Sequence, residues 1–206
     1  MPTGIALRDP REQLFSAAER VLLRDGPGAL TSRAVTSEAD VAKGVLHRHF
    51  ADFDAFLAEL VLDRIARLGS QEATLRAWAG TGTVAGNLTV ALTDLFSSVA
   101  VAIIALITFR DDLRVRLRQA RGAGAGVPLV TEAVAVIASY LRAEQQLGRI
   151  TPSADVDVLA PTLIGTGHLL FADRETGPPT AAALEAVVTW VISGTVQDAP
   201  DQNAAK

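Results

Sequence analysis

Lys43, Gly44, His47 and Arg48 fall within six positions of one another, and together they have the chemistry of anion recognition. Lysine and arginine carry fixed positive charge, the guanidinium donates hydrogen bonds in pairs, and glycine lets a backbone approach closely. They lie in the stretch Leu30–Phe50, LTSRAVTSEADVAKGVLHRHF. Its spacing predicts two short helices joined by a tight turn. Thr31 is placed to cap the first helix, with a hydroxyl that accepts from a free N–H of the first turn. Val35 and Ala39, four apart, share one face. Asp40 and Val41 form the corner, and a second helix runs from Lys43 through His49. Leu46 and Phe50 pack back on the first helix, which leaves Lys43, Gly44, His47 and Arg48 facing outward. A short helix with small and basic residues on its exposed side suits insertion into a DNA major groove.

Other chemistry is sparse. The chain has three histidines and no cysteine. His47 and His49 are two apart, the wrong spacing to share a helix face. Asp155, Asp157 and His168 could be assembled into a metal set. Acids at the start of a helix, however, ordinarily answer the helix dipole. No catalytic residue, metal site or cofactor is therefore expected, and the chain does not read as an enzyme. Small-molecule binding is better placed in the second part of the chain, where Trp78, Phe96, Phe109, Tyr140 and Phe171 are scattered. Each of these is more often plain core. Tyr140 leads as a ligand-binding residue because it lies on an inward face and a buried phenol needs a partner. Thr93, Ser97 and His168 follow it. The apolar surroundings point to an uncharged or amphipathic ligand.

Composition bounds these readings. Of 206 residues, 49 % are hydrophobic, enough for a sizeable core. The absence of cysteine excludes disulfides and fits a reducing cytoplasm. No secretion signal is visible at the N-terminus. The longest apolar run, VAVAIIALI at Val99–Ile107, falls far short of the ~20 residues that span a bilayer, so no membrane association is expected. The net charge is −4. The first 68 residues carry nine Lys and Arg against ten Asp and Glu. Nucleic-acid binding therefore requires a local basic face, which Arg8, Arg11, Arg33, Lys43 and Arg48 could supply, with His47 and His49 beside them.

The elements that must hold this stretch are helical throughout. Asp9-Pro10-Arg11-Glu12 reads as a helix start, with Asp at the cap and Pro in the first turn. Leu14, Ala18, Val21 and Leu22 form its core face, and Gly26-Pro27 ends it. A long helix begins at Asp52 and runs through Phe53, Phe56, Leu57, Leu60, Val61, Arg64 and Leu68. Gly80, Gly82 and Gly86 mark a break. Leu88–Phe109 reads as one helix, apolar nearly all round and so central to a second domain; Thr93, Asp94, Ser97 and Ser98 are polar exceptions. Arg110–Arg121 reads as a charged surface helix with a seam at Leu113 and Leu117. The run from Gly122 to Gly126 reads as a hinge. Further helices start at Pro128, near Asp155, and after Pro179. The first eight residues and the tail from Asp198 are expected to be mobile. No strand period and no internal repeat is present. The fold class is all-α, with about nine helices.

Extended to Arg11–Ile65, the sequence resembles the DNA-binding domain of the tetracycline-repressor (TetR) family of transcriptional regulators. The resemblance rests on REQLFSAAERVLLRDG in the first helix, on L-T-S-R opening the next, on V-A-K-G-V-L-H-R-H-F, and on D-x-D-A-F-L entering the long helix. It covers about a third of the chain. It implies a DNA-binding domain over residues 1–54 and a ligand-binding and dimerisation domain over residues 55–206. It also implies that Ser32, Arg33, Lys43, Gly44, Val45, His47 and Arg48 touch double-stranded operator DNA. Arg33 and Arg48 would then read guanine edges, with Ser32, Lys43 and His47 on phosphate. The sequence departs from the family pattern at Asp40, where a glycine is usual, at His47, where a tyrosine is common, and at Phe53, where a lysine grips phosphate. The resemblance further implies a homodimer, a repressor role, and release from DNA by a small-molecule effector. The dimer interface would lie on the last two helices, at Leu163, Gly167, Leu170, Leu184, Val188 and Val191, where Gly165 and Gly167 would allow close approach.

Overall fold

A computed structural model describes residues 9–97, 99–121, 126–173 and 177–197. Expectations for the first eight residues, for Ser98, for 122–125 and for the tail from 198 lie outside these. Ten α-helices make up the described chain: α1 (Pro10–Asp25), α2 (Ser32–Glu38), α3 (Gly44–His49), α4 (Phe53–Ala77), α5 (Val84–Phe96), α6 (Ala100–Phe109), α7 (Asp111–Arg121), α8 (Pro128–Gln146), α9 (Val156–Ala172) and α10 (Ala181–Ile192). A single 3₁₀ turn, Pro27–Ala29, separates α1 from α2. The described residues form no strand, only an isolated antiparallel bridge between Ile150 and Val196.

The helix starts follow their capping residues. The Asp9 carboxylate accepts from the Arg11 N–H at 2.9 Å, with Pro10 opening α1. Thr31 Oγ1 accepts from the Ala34 N–H at 3.1 Å. Asp52 Oδ1 accepts from the Ala55 N–H at 2.7 Å. Each side-chain oxygen satisfies a donor that the first turn leaves without an intrahelical partner.

The expected single helix over Leu88–Phe109 is instead two. α5 closes at Ser97, whose N–H reaches the Thr93 carbonyl at 2.8 Å, and α6 starts anew after Val99. Apolar residues on every face give no period that could have marked the break. The long helix α4 also runs nine residues past Leu68, to Ala77.

The chain divides into two compact units, Met1–Ile65 with Val99–Leu129, and Ala66–Ser98 with Val130–Lys206. In the first, α1 packs on α2, α3 and α6, and α6 packs on α7. Leu14, Leu22, Leu30, Val35, Leu46 and Leu57 are its fully covered centre. Phe15, Phe50 and Phe56 meet there with ring centroids 5.0–5.8 Å apart, in the tilted and edge-on arrangements aromatic rings favour. In the second unit, α5, α9 and α10 pack on one another around Leu88, Leu92, Leu163, Leu184 and Val188.

Candidate functional site

The turn between α2 and α3 is built on one unusual backbone angle. Asp40 has φ +53°, and it is the single non-glycine residue with positive φ among the described residues. The Asp40 N–H donates to the Ser37 carbonyl at 3.2 Å and the Val41 N–H to the Thr36 carbonyl at 3.0 Å. This pair of bonds is the Schellman closure of a helix, which needs a left-handed residue at the position Asp40 fills. Glycine is usual there; aspartate adopts the left-handed region more readily than most residues. Gln13 of α1 reaches across and donates to the Ala39 carbonyl at 2.8 Å, fixing the end of α2. Leu46 and Phe50 are buried beneath α3, as their spacing predicts.

The seven positions expected at DNA all fall on these two packed helices or at their edge. Arg33, Lys43, Gly44, His47 and Arg48 are exposed, and Ser32 and Val45 are half-buried. A methyl group placed on Gly44 would meet nothing within 4 Å, so this face of α3 is open.

Charge pairing sets these side chains apart from the other cations of the head. Arg11 pairs with Glu59 and lies 4.6 Å over the Phe50 ring. Arg20 and Arg24 converge on Glu38 at 2.7 and 2.8 Å, and Arg24 also holds Asp25. The two arginines draw the Glu38 carboxyl below its usual range, Arg20 contributing most. Arg64, 9 % exposed, pairs with Glu19 and Asp63. Arg116 of α7 holds Asp52 at 2.7 Å, and Arg110, between α6 and α7, holds Asp54 at 3.2 Å. The Ala55 N–H and then Arg116 keep the Asp52 carboxyl below its usual range. Arg33, Lys43 and Arg48 have no ion pair among the described residues. Seven of the ten acids in the first 68 residues thus face an arginine, and Arg33, Lys43 and Arg48 remain unpaired on α2 and at the start and end of α3, with the exposed Asp40 in the turn between them. Arg11, expected on the basic face, is instead engaged with Glu59 and Phe50, and Arg8 lies outside the described residues.

Phe53 opens α4 and is held there by its neighbours. Its ring stacks on Phe56 at 5.7 Å with planes 20° apart, and the Arg110 guanidinium lies 5.7 Å from its centroid.

The second unit contains a pocket of about 190 Å³ between α4, α5 and α8. Leu68, Gln71, Thr74, Leu75 and Trp78 line it from α4, Ala91, Asp94 and Leu95 from α5, and Ala133, Val136 and Ile137 from α8. Thr93, Ser97, Tyr140 and His168 are not among these residues. Thr93 donates to its own helix, at the Thr89 carbonyl, and Ser97 is exposed at the end of α5. His168 is half-buried, its ring centroid 6.2 Å from that of Phe96. The stripe Leu68, Gln71, Leu75, Trp78 has helical spacing, the signal that could have found the pocket had α4 been read to its full length.

Tyr140 is fully covered and heads a polar network beside the pocket. Its hydroxyl donates to Glu144 Oε1 at 2.5 Å and accepts from Asn87 Nδ2 at 3.0 Å. Burial, then the bond to Glu144, push the phenol pKa up, so it stays protonated. Asn87 also donates to the carbonyl of Trp78 at 3.2 Å. Glu144, itself fully buried, accepts from the Gly80 N–H at 3.2 Å and faces Arg149 at 3.4 Å. The Arg149 guanidinium donates in turn to the carbonyls of Thr81 and Gly82. The network thus fixes the backbone at the end of α4, the Trp78 carbonyl included.

The acids near the start of α9 behave as helix-end residues. Asp155 accepts from the N–H groups of Asp157 and Val158, and Asp157 pairs with Arg142. Among the described residues no three His, Cys, Asp or Glu side chains group as metal ligands would. Of the positions named for a dimer interface, Leu163, Gly167, Leu184 and Val188 are buried within their own unit, and Leu170 and Val191 are half-buried. A Cβ on Gly167 would come within 2.6 Å of the Phe96 ring, so this glycine admits a neighbour of its own unit. Gly165 faces open space. The large apolar side chains exposed on α9 and α10 are Val158, Leu169 and Trp190.

Comparison with known proteins bears on both units. Residues 14–60 match the family described as bacterial regulatory proteins, tetR family. No curated protein matches the chain in sequence. Among solved structures, the chain resembles the transcriptional regulator FadR from Bacillus subtilis in complex with stearoyl-CoA, with 17 % identity, 89 % of this chain and 98 % of that one covered, and a TM-score of 0.64. It resembles Escherichia coli NemR in its reduced form at 16 % identity, with 90 % and 98 % covered and a TM-score of 0.70. It resembles SCO1917, a TetR-family member from Streptomyces coelicolor A3, at 19 % identity, with 90 % and 99 % covered and a TM-score of 0.60. The solved structures share the fold over both units, and the sequence match falls on the helices that carry Arg33, Lys43 and Arg48. Residues 14–60 thus carry the N-terminal domain of the tetR family of bacterial regulatory proteins, and the chain as a whole shares the fold of solved regulators that include a member of that family.

Proposed function

We propose that the protein is a cytoplasmic, homodimeric transcriptional repressor that a small apolar or amphipathic effector releases from its operator. Residues 1–54 bind DNA, and residues 55–206 bind the effector and dimerise. The observation that carries this reading is the charge arrangement of the head. Most of its acids are engaged by arginines, while Arg33, Lys43 and Arg48 stay free on the helix-turn-helix. Phosphate contacts dominate affinity for DNA, so free cations at that place matter more than net charge. Two heads in a dimer meet successive major grooves about one helical turn apart. The pocket supports a ligand-responsive role, as does the likeness to FadR, which was solved with stearoyl-CoA. An effector acts to the extent that it binds the released state more tightly than the DNA-bound one.

A mobility shift on DNA from upstream of the protein's own gene tests the reading. Binding should weaken steeply and log-linearly as salt is raised. A protein that shifts no DNA at low salt supports a second reading, a helical ligand-binding or scaffold protein that has lost strong DNA binding. The excess of acids in the first 68 residues favours that alternative.

A further inference from the structure

Asp94 is the one ionisable side chain among the pocket's lining residues. Its carboxylate has neither an ion pair nor a hydrogen-bond partner among the described residues. Asp94 is exposed to solvent, so its carboxylate is open to a partner from outside the chain, whereas Asp52, Asp54, Asp157, Glu38, Glu59 and Glu144 each face an arginine. The rest of the lining is mostly apolar, and one wall is an indole, the aromatic group with the strongest attraction for cations. Gln71 and Thr74 are the other polar lining residues, and neither carries charge.

We propose that the pocket takes a compact organic cation, an amine or quaternary ammonium on an aromatic or branched aliphatic body. The inference rests on the ligand-responsive reading above and specifies the chemistry of its ligand. The cationic centre sits between Asp94 and Trp78, and the apolar body lies on Leu68, Leu75, Val136 and Ile137. Even partly withdrawing a cation from water is costly unless a counter-charge meets it, and Asp94, on the exposed side of the lining, supplies that charge with no competing partner among the described residues. An anionic ligand would meet the same carboxylate unfavourably and find no cation on the lining. Size sets the second limit. The pocket, at about 190 Å³, is close to the ~150 Å³ of an engineered cavity that binds benzene. One ring with a branched substituent fits that space; a long acyl chain does not. The backbone of Trp78 is held by Asn87 and, through it, by Tyr140, which fixes the point from which the indole projects.

Two probes of one shape separate charge from size: benzyltrimethylammonium and its uncharged isostere neopentylbenzene. The readout is Trp78 fluorescence in a Trp190→Phe background, since the chain has two tryptophans. The cation should bind about tenfold more tightly than the isostere at low salt, and the preference should shrink as salt rises. Asp94→Asn should remove the preference and leave the binding of neopentylbenzene unchanged. Equal binding of the two probes overturns the proposal, as does a preference that survives Asp94→Asn, or binding of neither probe to the folded protein. The measurement uses no DNA. A protein that shifts DNA but shows no cation preference overturns the ligand class alone; one that binds the cation but no DNA overturns the repressor reading alone.

Discussion

Arg48 lies near the C-terminal end of α3, exposed and without an ion pair, so its guanidinium is free to donate two hydrogen bonds to one base edge. Arg48→Ala should cost about 1–3 kcal/mol on the cognate site and relax preference at one position in each half-site. Equal losses on cognate and scrambled DNA would make Arg48 a phosphate contact only. Asp40 carries a different burden, holding φ at +53° where a residue without Cβ would do so freely. Asp40→Gly should raise stability by up to about 1 kcal/mol, read as a higher urea midpoint at unchanged slope. A lowered midpoint would mean that the Asp40 side chain contributes more than its backbone angle costs. Tyr140 was legible for its burial: its phenol has the partner that burial demands, Glu144, and it is tied through Asn87 to the backbone of Trp78.

At the scale of elements, the sequence was most legible where one residue decides a backbone bond. Asp9, Thr31 and Gly26 mark helix ends because a cap or a stop is a local matter, and the structure bears out all three. The break between α5 and α6 was not legible, because a helix apolar on all sides has no face whose interruption can be seen. The extension of α4 was hidden for the opposite reason: GSQEAT, directly after Leu68, is too polar to announce a core helix, yet it carries Gln71 and Thr74 to the pocket. The place of Phe53 could not be read at all, since it depends on Arg110, more than fifty positions away in the chain. Stacking of this kind contributes about 0.5–1.5 kcal/mol beyond area burial, and a lysine there would stand beside Arg110. Phe53→Lys should therefore lower the thermal midpoint and leave the salt slope of DNA binding unchanged. A slope steeper by about one unit per head would show instead that position 53 reaches phosphate.

At the scale of the whole molecule, the open question of assembly turns on which side of α9 and α10 is free. Leu184 and Val188 are 1 % exposed, while Leu169 and Trp190 are 75 % and 78 % exposed on the same two helices. A charge at Val188 would disrupt the unit's own core; a charge at Trp190 would not. A two-fold interface uses the same patch on both subunits, so a glutamate at its centre also meets its symmetry copy. Trp190→Glu should yield monomer by sedimentation equilibrium while keeping the helical content and the denaturation midpoint. Val188→Glu should lose the midpoint itself. A Trp190→Glu protein that remains dimeric would place the interface elsewhere.

The pairing of the head's acids bears on how such a protein finds its site. A strongly basic regulator spends most of its time on random genomic DNA, which offers ~10⁶–10⁹ competing positions. This chain is acidic overall, at −4, and Arg33, Lys43 and Arg48 are the unpaired cations that its DNA-binding motif offers. Its hold on random sequence should be brief, and a larger share of the molecules should be off DNA at any moment. Occupancy of the operator would then rest on base reading and on the paired heads more than on bulk attraction, leaving the free pool open to an effector.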